Sequence, residues 1–211
     1  MTRADLWPRI RAERSHLVEV LSTLPTEDWG AATLCEAWSV RDVVAHLTAA
    51  ASTPTLPWLG NMLITRLDTD LHNQRLLVRH RGMGDAETLA RFEEAVAART
   101  APFGVVEGAL GEIVVHGQDI AIPLGLPVTP SRASIRAVAE FFARKDFAVD
   151  SRTLVRGLRL EASDDDLRIG DGPPLRGEML PLVMAVAGRP VALDALEGEG
   201  AAVLRQRLAS R

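Results

Sequence analysis

Apolar residues recur at intervals of three and four along most of the first 147 positions, the pattern of amphipathic helices. Helices are predicted over residues 3 to 23, 61 to 80, 85 to 100 and 131 to 147. Two further helices lie between these runs. Proline and glycine separate the runs, with a loop predicted over residues 54 to 60. This part of the chain is therefore expected to be all helical.

The helix that follows Trp38 has the clearest start. Ser39 is placed as its N-cap, with Asp42 at the third helical position as an imperfect capping box. Trp38 and Val43 fall where a hydrophobic staple would pair them. The apolar stripe of this helix consists of Val40, Val43, Val44 and Leu47.

The periodicity changes after residue 148. Residues 153 to 162 alternate and predict a strand, residues 167 to 170 a short strand, and residues 171 to 174 a turn. Helices are predicted over residues 176 to 187 and 201 to 208. We therefore expect a helical domain over residues 1–148 and a small α+β domain over residues 149–211.

The amino-acid composition argues against several classes of function. The 211 residues are 47% hydrophobic and 25% charged, with a net charge of −4 spread in mixed sign. This predicts no nucleic-acid footprint and no membrane-binding patch. No apolar run is long enough for a membrane span, and no export signal is visible at the N-terminus. The single cysteine, Cys35, fits a reducing, cytoplasmic location.

Glu112 and His116 stand four residues apart on a predicted helix that stops at Pro123 and Gly125. This spacing puts both side chains on one helical face, beside the apolar stripe. A carboxylate and an imidazole there can hold a divalent metal from one side, and His46 on another helix can supply a third ligand. Three protein ligands leave zinc an open position for a substrate. The spacing alone also fits an exposed helical pair without a metal.

Two segments resemble a known family. Cys35–Leu47, CEAWSVRDVVAHL, is similar to the N-terminal signature of the mycothiol-dependent maleylpyruvate isomerase family. Residues 112 to 119, EIVVHGQD, are similar to its second signature, although an aromatic residue is common in the family where Gln118 stands. In the last third, residues 170 to 173, 187 to 190 and 196 to 200 also resemble this family.

The resemblance implies a DinB-like up-and-down four-helix bundle followed by a unit like sterol carrier protein. It implies that His46, Glu112 and His116 are the metal ligands, with zinc the usual occupant, and that mycothiol is the co-substrate. Zinc deprotonates a bound thiol, and the expected reaction is thiolate addition to a small electrophile, as an isomerase or S-transferase. A hydrolase with the same metal, or a non-catalytic protein that binds metal and small molecules, are the alternatives.

The sequence also suggests roles for residues other than the three candidate ligands. The resemblance implies that Arg189 lines the active site and binds an anionic substrate. Asp119 is a candidate to orient His116 from behind. Cys35 is interpreted as a small half-buried residue ahead of the helix rather than a nucleophile. His16, His72 and His80 are interpreted as surface or packing residues. The oligomeric state is expected to be monomer or homodimer.

Overall fold

The computed structural model describes residues 3 to 210. The chain divides into two compact units, the first ending at Thr129 and the second beginning at Pro130. The predicted mainly helical class, with a small sheet towards the C-terminus, is confirmed.

The first unit is all helical. Its helices are α1 (Arg3–Leu21), α2 (Val40–Ser52), α3 (Thr55–Ile64), α4 (Thr69–His80), α5 (Asp85–Ala95) and α6 (Val106–Leu124). Four of them pack pairwise in a ring, in the order α1, α6, α2 and α5, while α4 packs on α2. The core of this unit is aliphatic with Phe92 and Trp29 added, as the scarcity of aromatic residues in the sequence requires.

Helix α2 begins as predicted. The Ser39 hydroxyl accepts from the Asp42 backbone N–H, and the Asp42 carboxylate accepts from the Ser39 backbone N–H, so both halves of the capping box are present. Arg81 forms an ion pair with Asp42 at 3.0 Å. The start of α2 is thereby tied to the end of α4.

The predicted helix over residues 61 to 80 is instead two helices. Helix α3 begins at Thr55, inside the predicted loop, because Pro57 falls in its first turn, where a backbone donor is not needed. The break comes at Arg66 and Leu67, which have φ values of 53° and 67°. Neither residue is glycine or asparagine, so nothing in the sequence indicates a left-handed turn here.

The second unit contains α7 (Arg132–Arg144), α8 (Ser151–Val155), α9 (Met179–Val186) and α10 (Glu199–Ala209), with β1 (Arg159–Ala162), β2 (Arg168–Ile169) and β3 (Pro174–Gly177). The strand order is β2-β1-β3. Strand β1 pairs antiparallel with β2 and parallel with β3. Helix α7 packs on α9 and α8, so the division of the chain lies before α7, whereas the sequence placed it after that helix.

Two predictions in this unit are wrong in detail. The strand expected over residues 153 to 162 is a short helix, α8, followed by β1. Strand β3 begins inside the predicted turn, because Gly172 and its neighbours pack directly on the start of β1. A Cβ at Gly172 would lie 1.8 Å from the carbonyl oxygen of Gly157, so only glycine fits this close approach.

Candidate metal centre

Helices α2 and α6 bring His46, Glu112 and His116 together. His46 Nε2 lies 3.1 Å from Glu112 Oε2, and His116 Nε2 lies 3.3 Å from the same oxygen. The two imidazole rings meet edge to face, with centroids 4.8 Å apart. Within the described residues, their ligand atoms form one of two groups able to hold a metal ion, all lying within 4.8 Å of one another. Both imidazoles therefore point at the carboxylate.

The helix periodicity explains this convergence. Glu112 and His116 are one turn apart on α6, at the edge of a stripe that includes the buried Ile113 and Val114. His46 lies beside the buried valines of α2, which packs on α6. The three side chains keep 12% to 20% of their surface accessible. The group is thus held by a packed interior and still open on one side.

Asp119 supports His116 from behind. Its side chain is fully buried, and its Oδ2 lies 2.8 Å from His116 Nδ1. The same oxygen accepts from the thiol of Cys35 at 3.1 Å. A carboxylate at Nδ1 fixes the imidazole tautomer and directs the Nε2 lone pair towards a metal. The structure contains the hydrogen bond between Asp119 and His116, and the role of Asp119 behind a metal ligand stays a prediction.

The pKa values of the three ionisable side chains at the centre are shifted from their ordinary values. Burial alone would raise the pKa of Glu112, but hydrogen bonds from His116 and His46 hold it well below its usual range. Burial would lower the pKa of His116, yet its hydrogen bonds to Asp119, Cys35 and Glu112 raise it well above the ordinary value. For His46 burial prevails and the pKa is lowered, despite the hydrogen bond to Glu112. The carboxylate of Glu112 is therefore held in its charged form by the two imidazoles that face it.

The second group of possible ligands consists of Cys35, His116 and Asp119. Its distances match a thiol and an imidazole that both donate to one carboxylate, and Asp119 has no solvent-accessible surface. His116 presents Nδ1 to this group and Nε2 to the other. The Cys35 group is therefore a hydrogen-bonded cluster, and the Glu112 group is the candidate metal site.

A loop closes one side of the centre. The backbone N–H of Leu34 donates to the carbonyl of Asp119 at 3.0 Å, and Ala32 bridges Ser39. Between these anchors, the Trp38 ring lies 4.8 Å from the ring of His46 and 6.3 Å from that of His116. Trp38 is thus part of the wall of the site, a role beyond the staple that the sequence predicts.

Cys35 is half-buried ahead of α2, as interpreted from the sequence, but its contacts with Asp119 and His116 were not foreseen. No spacing rule joins residues this far apart in the chain. Gln118, at the position where the family often has an aromatic residue, is buried and donates to the carbonyl of Val128 at 2.7 Å. That amide therefore fixes the chain after α6.

Arg189 lies in the second unit, half-buried, and its guanidinium donates to the carbonyl of Ala187 at 2.7 Å. Its part in substrate binding stays a prediction. His16 and His80 are partly exposed and His72 is buried, in keeping with their interpretation as surface or packing residues. Among the described residues, no helix is both long and apolar enough to cross a membrane.

Comparisons with known proteins give a match for the N-terminal segment and for the fold. Residues 10–58, which include His46, match the family model described as the mycothiol maleylpyruvate isomerase N-terminal domain. The predicted family resemblance is confirmed. Crystal structures of the mycothiol-dependent maleylpyruvate isomerase and of a mutant of it have the same fold. No curated protein matches the chain by sequence.

The two crystal structures are distant in sequence and close in fold. They have 16% and 15% identity to this chain, with TM-scores of 0.65 and 0.64 respectively. Each alignment covers 94% of this chain and 93% of the other. The shared fold therefore extends over nearly the whole length of both proteins.

Proposed function

We propose that this protein is a metal-dependent isomerase of the mycothiol-dependent maleylpyruvate isomerase type, which uses mycothiol to isomerise a small unsaturated acid. The observation that carries the proposal is the convergence of His46, Glu112 and His116 on one point, in the fold of that enzyme. The family match of the N-terminal segment supports the assignment of mycothiol.

The three side chains fit a divalent ion. Two imidazole nitrogens and one carboxylate oxygen are a common zinc donor set, and they leave room for a guest. Asp119 adds the outer carboxylate that histidine ligands of zinc usually have. A zinc ion bound here would lower the pKa of a thiol, which is otherwise only a few per cent thiolate near neutral pH.

The protein's own residues have separate roles. Glu112 and the two histidines would hold the ion, and each keeps only 12% to 20% of its side-chain surface exposed. Asp119 keeps the proton of His116 on Nδ1, so that Nε2 is available as a ligand. Trp38 closes the wall beside both imidazoles and restricts where a guest can lie. Positioning of thiol and electrophile then provides most of the rate enhancement.

Metal content tests the site. We expect about one zinc per chain in purified protein, by analogy with open three-ligand zinc sites. The double variant His46→Ala, Glu112→Ala should lose it, since one remaining imidazole cannot hold the ion. The matched control is His16→Ala with Glu19→Ala, a histidine–glutamate pair on α1 whose side chains are 38% and 77% exposed. Elemental analysis of the three proteins decides, and unchanged metal in the first variant would refute the site.

Turnover tests the reaction. The zinc-loaded protein is incubated with maleylpyruvate and mycothiol, and the cis-to-trans conversion of the double bond is followed by absorbance. Isomerisation that needs catalytic mycothiol and is lost in the triad variant supports the proposal. Stoichiometric consumption of thiol would indicate a transferase, and hydrolysis without thiol a hydrolase. Binding of zinc and substrate with no conversion would indicate a non-catalytic binding protein.

A further inference from the structure

A cavity of about 370 Å³ is formed entirely by residues of the second unit. Its walls come from the end of α7, from α8, from the loop after α8, and from β1 and the end of β2. The three candidate metal ligands, in contrast, all belong to the first unit. Sites for small molecules in proteins have volumes of about 300 to 1,000 Å³. This cavity is therefore large enough for a ligand of its own.

The apolar part of the cavity wall is aliphatic. It consists of the side chains of Ala143, Val155, Leu158, Leu160 and Ile169. Three of these, Val155, Leu158 and Leu160, also belong to the buried core and are at most 7% exposed. No aromatic ring is among the described lining residues, so a flat ring would find no ring to stack on. The wall thus suits an aliphatic chain better than an aromatic ring.

Backbone contacts fix the position of this wall. The N–H of Leu158 donates to the carbonyl oxygen of Val155 at 2.9 Å, which closes the turn between α8 and β1. Gly170, at the end of β2, packs against the same turn. A Cβ on Gly170 would lie 2.2 Å from the carbonyl oxygen of Leu158, so only glycine permits this approach. The cavity is therefore a feature of the backbone fold, present before any ligand binds.

Two arginines supply the charges among the described lining residues. Arg152 Nε lies 3.3 Å from Asp146 Oδ2, so its charge is already balanced. Within residues 3 to 210, no hydrogen bond or ion pair involves the guanidinium of Arg156. A guanidinium binds a carboxylate through two parallel N–H···O bonds. The cavity thus combines an aliphatic wall with one cation that lacks an anion.

We propose that this cavity binds a small aliphatic carboxylate, with its chain against the aliphatic wall and its carboxylate on Arg156. At roughly 30 Å³ for each water-sized group, the cavity holds on the order of twelve such groups, so an acid of about eight carbons fits. The site requires neither a metal ion nor a thiol. It is therefore a second binding function, independent of the proposed isomerase activity.

The first test locates the ligand and requires no variant. Full-length protein with ¹³C-labelled isoleucine, leucine and valine methyl groups is titrated with octanoate and followed by NMR. We expect the methyl signals of Val155, Leu158, Leu160 and Ile169 to shift in a saturable way. Unchanged signals at these four residues would overturn the inference, whether octanoate binds elsewhere or not at all.

Arg156→Gln tests the cation. Octanoate affinity, measured by calorimetry, should fall about tenfold, the lower end for a hydrogen bond to a charged group, because Arg156 is exposed to solvent. Arg205→Gln removes an exposed arginine of α10 that is not in the wall, and this control should bind octanoate normally. Uncharged 1-octanol should bind wild type and Arg156→Gln alike. Equal octanoate affinity in wild type and Arg156→Gln would overturn the inference.

Ala143→Leu tests the aliphatic wall. Residue 143 is half-buried on α7, and a larger side chain there fills part of the cavity. Octanoate affinity should fall about tenfold, because two or so methylene groups of the guest lose their apolar contact. Thermal unfolding establishes that the variant is folded. A folded Ala143→Leu that binds octanoate as wild type does would contradict the proposed site.

The variant His46→Ala, Glu112→Ala separates this site from the candidate metal centre. Neither substitution is in the cavity wall, so the variant should bind octanoate as wild type does, whether or not the protein isomerises maleylpyruvate. Loss of octanoate binding in this variant would assign the carboxylate to the metal centre and overturn the inference. Retained binding without any isomerase activity in wild type would refute the proposed function and keep the carboxylate site.

Discussion

Asp119→Asn isolates the contribution of the buried carboxylate behind His116. The substitution preserves the shape of a side chain with no accessible surface and removes its charge. His116 Nδ1 and the Cys35 thiol share one oxygen of Asp119, so an asparagine oxygen in the same place can still accept from both, and the change removes mainly the negative charge. Loss of an outer carboxylate of this kind typically lowers metal affinity tenfold to a hundredfold, or about 1.4–2.8 kcal/mol.

The assay is a zinc titration in competition with a chromophoric chelator, performed on wild type, Asp119→Asn and Asp194→Asn. Asp194 is 89% exposed and serves as the matched control. Thermal unfolding of the metal-free proteins separates lost stability from lost affinity. If Asp119→Asn is folded and its zinc affinity lies within twofold of wild type, the carboxylate does not support His116 in the way proposed.

Two further predictions concern residues that the sequence did not single out for these roles. Cys35→Ser should retain zinc at the wild-type stoichiometry by elemental analysis, because its thiol donates to Asp119 rather than facing the metal; metal loss would identify the Cys35 group as the site. Arg14 is 3% exposed, donates to the carbonyls of Ala95 and Ala98, and has its pKa lowered to about 10 by burial. Arg14→Met should lower the free energy of unfolding by about 1–3 kcal/mol in urea, because two carbonyls lose their donor; no change would contradict this.

The convergence of the three candidate metal ligands could be predicted because their signal is local. A spacing of four residues places Glu112 and His116 on one helical face whatever surrounds them, and the signature around His46 supplies the third side chain. Asp119 follows from the same helix, three residues after His116. The start of α2 was equally visible, since Ser39 and Asp42 cap it through side chains that the sequence shows directly.

The contacts between residues that are far apart in the sequence could not be predicted. Cys35 and His116 are brought together by the return of a loop against α6, and no periodicity reports that path. The hydrogen bonds that join Arg75, Asn61 and His72 depend on the break between α3 and α4, which occurs at two residues of ordinary type with positive φ. Strand β3 was missed because glycine and proline beside it favour a turn, while its pairing partner decides its conformation.

The hydrogen bonds between Asp119 and the loop before α2 affect how a small molecule can reach the candidate metal centre. The carbonyl of Asp119 accepts from the backbone N–H of Leu34, and its side chain accepts from the Cys35 thiol. An outward movement of the loop would therefore break both bonds and expose a carboxylate that has no accessible surface in the closed position. This wall is a fixed one. A molecule that reaches the histidines is therefore expected to enter where this loop does not cover them.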